Sequence, residues 1–204
     1  MRDVAHHHYF APHPASPHRV AEIRATLRGR EFRFLTDRGV FSRGRVDRGT
    51  RLLIETMEIG PGDTVLDLGC GYGPIGLVAA SLAPLGRVYL VDVNERAVDL
   101  AGRNALLNGL RNVEVRLGDG FAPVADLRFD VILTNPPIRT GKASVYRLFR
   151  EAYLHLKPGG RFYFVARTSQ GAKTLASHVQ EIFGNVEELE RGGGFRVYRA
   201  VRHV

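Results

Sequence analysis

An α/β fold built on a mostly parallel sheet is what this sequence predicts, on three observations. Short apolar, β-branched runs alternate with helical stretches from residue 64 to about 182, the pattern of repeated βαβ units. The first run, Val65-Leu-Asp-Leu68, empties into a glycine-rich turn, Gly69-Cys-Gly-Tyr-Gly73. Two later runs end in polar groups, Asp92 and Asn135. In sheets of this kind ligands bind outside the carboxyl ends of the strands, so the three endings predict one site.

The elements follow in order. Residues 22 to 42 predict a β-hairpin or small sheet turning at Arg28-Gly29, placed over a sheet edge or the mouth of a site. Arg48 to Glu58 predicts a helix with Leu52, Leu53 and Met57 on one face. No internal repeat or low-complexity linker divides the chain, and no candidate boundary is sharper than residue 60. The chain therefore divides into an N-terminal extension, 1–60, packed on a main domain, 61–204. With 204 residues and 44% hydrophobic content, one sizeable core is expected.

Thr64 to Leu68 reads as a buried strand, and Gly69, Gly71 and Gly73 let the backbone turn tightly against a ligand. Pro74 suits the first turn of the helix that follows, Ile75 to Leu82. A dinucleotide fingerprint has glycine at its first, third and sixth positions, and the sixth position here is Pro74. That departure argues against a nicotinamide dinucleotide and leaves room for a nucleoside without phosphates.

Arg87 to Val91 is the second strand, and Asp92 at its end can accept from both hydroxyls of a ribose. Asp92 could instead cap the next helix, but Asn94 is itself a good cap and frees it for the ligand. Val113 to Leu117 is the third strand, and Asp119 after it could accept from an adenine amine or simply sit in a turn. The fourth strand, Phe129 to Thr134, ends in Asn135-Pro-Pro-Ile138. Two prolines stiffen this loop and hold Asn135 extended, so its amide and the Asn135 and Pro136 carbonyls project from the strand end. Such acceptors orient an amine whose lone pair is delocalised into a ring, and they stabilise the cation formed when it is alkylated. Strands near Arg161–Ala166, Val186–Glu190 and Phe195–Val201 complete a sheet of seven.

These segments together resemble the class I S-adenosylmethionine-dependent methyltransferases of the small-domain group, in particular the 16S ribosomal RNA guanine-N2 methyltransferases. The resemblance runs from His8-Tyr-Phe10 through Phe34 to Ser42, Arg45 to Thr50 and the three strand endings to Leu156-Lys-Pro-Gly-Gly160. It implies a Rossmann-like fold with helices on both faces, the final strand inserted antiparallel beside its hairpin partner, and the small N-terminal β extension. It implies S-adenosylmethionine as cofactor, held by Asp67, Gly69, Cys70, Gly71, Gly73, Asp92 and Val93. Asp119, Gly120 and Phe121 would hold its adenine, and Asp47 and Thr50 would lie near its methionine end beside Asn135. Asn135, Pro136, Pro137 and Ile138 would carry the chemistry on the target base. Ile138 followed by Arg139 and Lys142 is nearer the ribosomal RNA branch than branches with an aromatic residue at that position. One departure stands: those relatives have two tandem halves, and the sixty-odd residues before the glycine turn are too few for a second one.

The formal net charge is +8, with 29 Lys plus Arg against 21 Asp plus Glu, which fits a polyanionic partner such as ribosomal RNA or the small ribosomal subunit. Arg30 and Arg33 stand in an arginine-dense stretch interleaved with Phe32 and Phe34, expected to grip RNA with Arg139 and Lys142 at its inner end. The single Cys70 excludes an intramolecular disulfide and suits the cytoplasm. It also lies in the wrong place to activate a pyrimidine carbon. The His6-His-His8 cluster, with His13 and His18, lacks the cysteines and carboxylates of a metal site, and no metal is expected. The segment reads as disordered or lightly packed, with Tyr9-Phe10 anchoring it. No apolar run reaches membrane-spanning length.

The expected reaction is direct methyl transfer to the exocyclic amine of a purine, guanine preferred. Adenine N6, a protein glutamine amide, or a non-catalytic RNA-binding or ribosome-assembly role are the alternatives. The exact nucleotide and the oligomeric state are not legible.

Overall fold

The computed structural model describes residues 12–14 and 16–204. The expectations for His6 to His8, Tyr9 and Phe10 fall outside them. β1 (Ala21–Leu27) and β2 (Arg30–Thr36) pair antiparallel, Ala21 opposite Thr36 and Leu27 opposite Arg30. The turn takes positive φ at both Arg28 (51°) and Gly29 (76°), as a tight two-residue hairpin requires. Arg28 is held in that unfavourable region from outside. Its N–H donates to Glu55 Oε1 and its guanidinium to the Ile54 and Met57 carbonyls. The hairpin ends at Thr36, short of residue 42. There the Asp37 carboxylate accepts from the Arg19 and Arg38 N–H groups and turns the chain into a loop over residues 37–46.

α1 (Arg48–Thr56) starts at Asp47, whose Oδ2 accepts from the Gly49 and Thr50 N–H groups. Its Leu53 and Ile54, and the following Met57, are fully buried. The helix stops at Thr56 because Met57 turns extended (ψ 141°) to bury its side chain.

The main sheet contains β3 (Thr64–Leu68), β4 (Arg87–Asp92), β5 (Val113–Leu117), β6 (Phe129–Thr134), β7 (Leu156–Arg167), β8 (Glu187–Gly192) and β9 (Phe195–Val201). Their order is β5-β4-β3-β6-β7-β9-β8. β3 to β7 run parallel, and β9 inserts antiparallel between β7 and β8. β7 begins five residues earlier than the Arg161–Ala166 reading. The Gly159 N–H donates to the Arg202 carbonyl, and the Arg202 N–H to Gly160, which carries the pairing back through the glycines.

Strand side chains alternate between faces, and each face has its own core. On one, Val65, Val88, Leu90, Val131 and Val165 pack under α1, α2 (Pro74–Leu82) and α3 (Glu95–Leu107). On the other, Leu66, Ile132, Phe162 and Phe164 pack under α4 (Lys142–His155) and α5 (Ala172–Phe183). The hairpin joins the first core. Phe34 is fully buried and meets Tyr72 edge-on at 5.5 Å, and the Asn104 amide of α3 bridges the Leu35 and Tyr72 carbonyls.

Candidate active site

At the end of β3 the chain turns through Gly69 (φ 74°) and Gly71 (56°), where a side chain would be strained. The Gly69 and Cys70 N–H groups both donate to the Val91 carbonyl, tying the turn to β4. A Cβ at either glycine would meet nothing within 4 Å, so the turn faces open space. Gly73 (φ 100°) lies outside that space and instead opens α2 as its cap. Gly76 takes the part the fingerprint gives its last glycine. A Cβ there would lie 2.7 Å from Leu90 and 3.0 Å from the Asp67 Cβ, so only glycine lets α2 close on the strands.

Asp67 is a correction. It lies fully buried beneath the turn and does not line the cavity; its Oδ2 accepts from the Gly76 N–H, and Oδ1 has no partner. Burial pushes its carboxyl up to about 7. Asp92 does reach the cavity. Asn94 is the helix cap, accepting from the Arg96 and Ala97 N–H groups. Asp92 is nevertheless engaged: Oδ2 accepts from the Gly71 N–H and Oδ1 from the Asn94 N–H, both near 2.9 Å. Those contacts fix the carboxylate and leave further lone pairs for a ligand. Burial raises its pKa, and these N–H groups oppose the rise. Burial raises the Cys70 thiol as well, which keeps it neutral.

The strand ends enclose a cavity of about 350 Å³, the size of a small-ligand site. Gly69, Cys70, Gly71, Asp92 and Val93 form one wall, with Asp119 and Gly120 at its end. Asp119 is held by Arg147, which donates to both carboxylate oxygens at 3.0–3.2 Å. Phe121 is a second correction. It is 3% exposed and stacks on His155 at 4.5 Å, because the turn after Gly118 tucks it into the core instead of the cavity.

Asp47, Thr50 and the Asn135-Pro-Pro-Ile138 loop form the facing wall, with Arg139 beyond. The Thr134 hydroxyl donates to the Leu68 carbonyl at 2.8 Å, pinning β6 to β3 beneath the loop. Asn135 Nδ2 donates to Thr50 Oγ1 at 3.1 Å, which turns the amide oxygen away from that contact. The Pro136 carbonyl already accepts from the Ile138 N–H at 2.9 Å, and the Pro137 carbonyl accepts from Thr140.

Arg30, Arg33 and Lys142 are not brought to this cavity. β2 runs along α3, so Arg33 lies against Asn108 at the helix's last turn while Asp37 reaches Arg96 at its first. The cavity is at that first turn, and the 13 residues of α3 rise about 20 Å. Arg33 is also spent in a bidentate pair with Glu22, and Arg30 donates to the Asn108 carbonyl. Lys142 borders a separate small cleft between α4 and α5.

Sequence reasoning named no site residue on two walls, though it set residues 22 to 42 over a sheet edge or the mouth of a site. Val40, Phe41 and Ser42 close one side, on a loop held by the Asn94 amide's donation to the Gly39 carbonyl. Arg167, Gln170 and Phe195 close another. The topology carries the only signal for the second: an inserted β9 must start where β7 ends. Among the described residues no three His, Cys, Asp or Glu gather as a metal site, and no helix is long and apolar enough to cross a membrane.

Residues 31–199 match the family described as methyltransferase small domain. The chain is 39% identical over 195 residues to uncharacterized protein YbxB of Bacillus subtilis, covering 95% of this chain and 97% of that one. It is 37% identical over 168 residues to ribosomal RNA small subunit methyltransferase C of Pseudomonas putida, covering 80% of this chain and 49% of the other. The structure of the Thermus thermophilus 16S rRNA N2 G1207 methyltransferase in complex with AdoMet and guanosine superposes with a TM-score of 0.82 at 28% identity. That match covers 93% of this chain and 52% of the other, so the chain spans about half the length of these methyltransferase relatives.

Proposed function

The chain belongs to the methyltransferase small domain family, and we propose that it methylates the exocyclic amine of a guanine in small-subunit ribosomal RNA, using S-adenosylmethionine. The observation that carries this is the facing of two walls across one cavity: a glycine turn with the Asp92 carboxylate, and the Asn135 amide fixed by Thr50.

The residues present fit the cofactor. Gly69 and Gly71 leave open space above the turn, and Asp92 offers lone pairs to paired ribose hydroxyls. Asp47 and Thr50 border the same space at the start of α1. When bound, the cofactor supplies an electrophilic methyl group. Asn135 Oδ1 and the Pro136 carbonyl accept from the two N–H groups of the amine, which directs its lone pair across the cavity. Both acceptors also stabilise the positive charge that develops on nitrogen. The surplus proton then leaves to solvent, so no side-chain base is required. Ile138 supports one face of the base. The base leaves its stack to reach this depth. Arg139 stands exposed at the rim, where a phosphate would pass, and the net charge of +8 favours such a partner.

Calorimetric titration with S-adenosylmethionine, S-adenosylhomocysteine and NAD tests the cofactor. Binding of the two sulfur compounds alone is expected, and binding of neither would end this reading. Tritiated-methyl transfer to naked RNA and to small subunits, followed by digestion to nucleosides, then tests the base. N2-methylguanosine is expected; N6-methyladenosine or a methylated protein would replace guanine by those substrates.

A further inference from the structure

The cavity continues past Asn135 to a wall that the methyl-transfer chemistry leaves unused. Arg167 ends β7, three residues beyond Phe164, the partner of Thr134 in the β6–β7 ladder. Adjacent strands lie about 4.8 Å apart, so Arg167 rises one strand over from the Asn135 loop, on the side away from the glycine turn. Its partner across the next ladder is Phe195, and the guanidinium lies over that ring at 4.8 Å. The ring is fixed in turn. A Cβ at Gly49 would come within 2.6 Å of it, so α1 and β9 close on each other only because residue 49 is glycine. Among the described residues the Arg167 side chain enters no hydrogen bond or ion pair, in contrast to Arg33. It is exposed, it lines the cavity, and its five N–H donors are unspent.

A planar fork set over an aromatic ring presents donors only. Guanine carries its amine and its carbonyl oxygen on one edge, separated by about the strand spacing. A base that sets its amine at Asn135 and this edge along the strand ends would bring the carbonyl toward Arg167 on β7. Adenine has no carbonyl to offer there and would leave the fork facing a poor partner. We infer that Arg167, oriented by Phe195, donates to the carbonyl oxygen of the target base and so selects guanine over adenine. This rests on the guanine-amine reading above.

The test uses ribosomal RNA carrying either guanine or 2-aminopurine at the nucleotide that the wild-type protein methylates. 2-Aminopurine keeps the amine and lacks the carbonyl. Wild type is expected to prefer guanine by about 10- to 100-fold in kcat/KM. Arg167→Ala should lose that factor on guanine RNA and little on 2-aminopurine RNA, collapsing the ratio toward one. Arg167→Lys, which keeps the charge without the fork, should recover only part of it. Calorimetry with S-adenosylhomocysteine should show unchanged affinity in each variant, establishing that the fold is intact. Equal loss on both RNAs would overturn the inference and make Arg167 a phosphate contact, and no loss would remove it from recognition. Failure of wild type to form N2-methylguanosine would overturn the guanine reading itself, a result visible without any variant.

Discussion

Asn135 donates its amide N–H to the Thr50 hydroxyl at 3.1 Å, across 85 residues of chain. Thr50 is buried in the first turn of α1, where Asp47 accepts from its N–H. The N-terminal extension therefore orients the amide to which the proposed amine chemistry is assigned. Thr50→Val keeps the shape and removes the hydroxyl. Its kcat is expected to fall about 10- to 100-fold, with little change in S-adenosylhomocysteine affinity. Thr50→Ser should restore most of the rate, and full activity in the valine variant would separate Thr50 from catalysis.

Asp92 and Asn135 should fail in different ways. Asp92→Ala removes the acceptor for the Gly71 and Asn94 N–H groups as well as for a ligand hydroxyl. Hydrogen bonds to a charged acceptor are worth about 1.5–3 kcal/mol, so cofactor affinity is expected to drop by about 10- to 100-fold. Asn135→Ala leaves that wall intact and should lose turnover while keeping the cofactor. Calorimetry read beside the methyl-transfer rate distinguishes the two, and an Asn135→Ala variant with full turnover would remove its assigned role.

Much of this was legible because strand endings write chemistry into the sequence. Asp92 and Asn135 each terminate an apolar run, and the parallel fold sends such endings to one edge. Asp67 and Phe121 were both misplaced. Neither position is fixed by periodicity: Asp67 lies in a strand buried on both faces, where either direction is inside, and Phe121 lies in the irregular turn after β5. Arg30 and Arg33 were misplaced because charge density carries no direction along α3. Arg167 and Phe195 went unread because they meet only once β9 inserts beside β7, a pairing between distant segments.

The hairpin shares a core with the main sheet. Phe34 is fully buried, stacks on Phe32 at 5.9 Å and meets Tyr72 in the glycine turn. Phe34→Ala is expected to cost about 3–5 kcal/mol. The loss should appear in one cooperative denaturant transition with an unchanged m-value. A separate early transition confined to the hairpin would show that the extension unfolds independently.

The buried Asp67 gives stability a pH dependence. Its folded pKa stands at about 7 against 3.8 for the ordinary carboxyl. Between those values the folded chain keeps a proton that the unfolded chain has released. The slope of unfolding free energy with pH is then negative. Stability should decline from about pH 4 to about pH 7 by a few kcal/mol, then level off. Asp67→Asn cannot titrate and still offers Gly76 an acceptor, so its melting temperature should vary less over that window. Asp92, also raised by burial, would keep the remaining slope. Parallel slopes in the two proteins would place the pH dependence elsewhere.

Charge reversal should separate the two arginine groups. Arg33 already pairs with Glu22 beside Asn108, at the far end of α3 from the cavity, and Arg30 spends a donor on the Asn108 carbonyl. A phosphate contact at either site would first have to break those bonds. Arg30→Glu with Arg33→Glu is therefore expected to leave RNA affinity and its dependence on salt nearly unchanged. Arg139 lies exposed at the cavity rim, directly after the Asn135 loop. On the proposed RNA function, Arg139→Ala is expected to reduce the slope of log affinity against log salt by about 1 and to weaken all RNA sequences alike. Filter binding across a salt series reads both effects. A large loss from the Arg30 and Arg33 pair, with none from Arg139, would move the RNA path onto the hairpin and away from the strand ends.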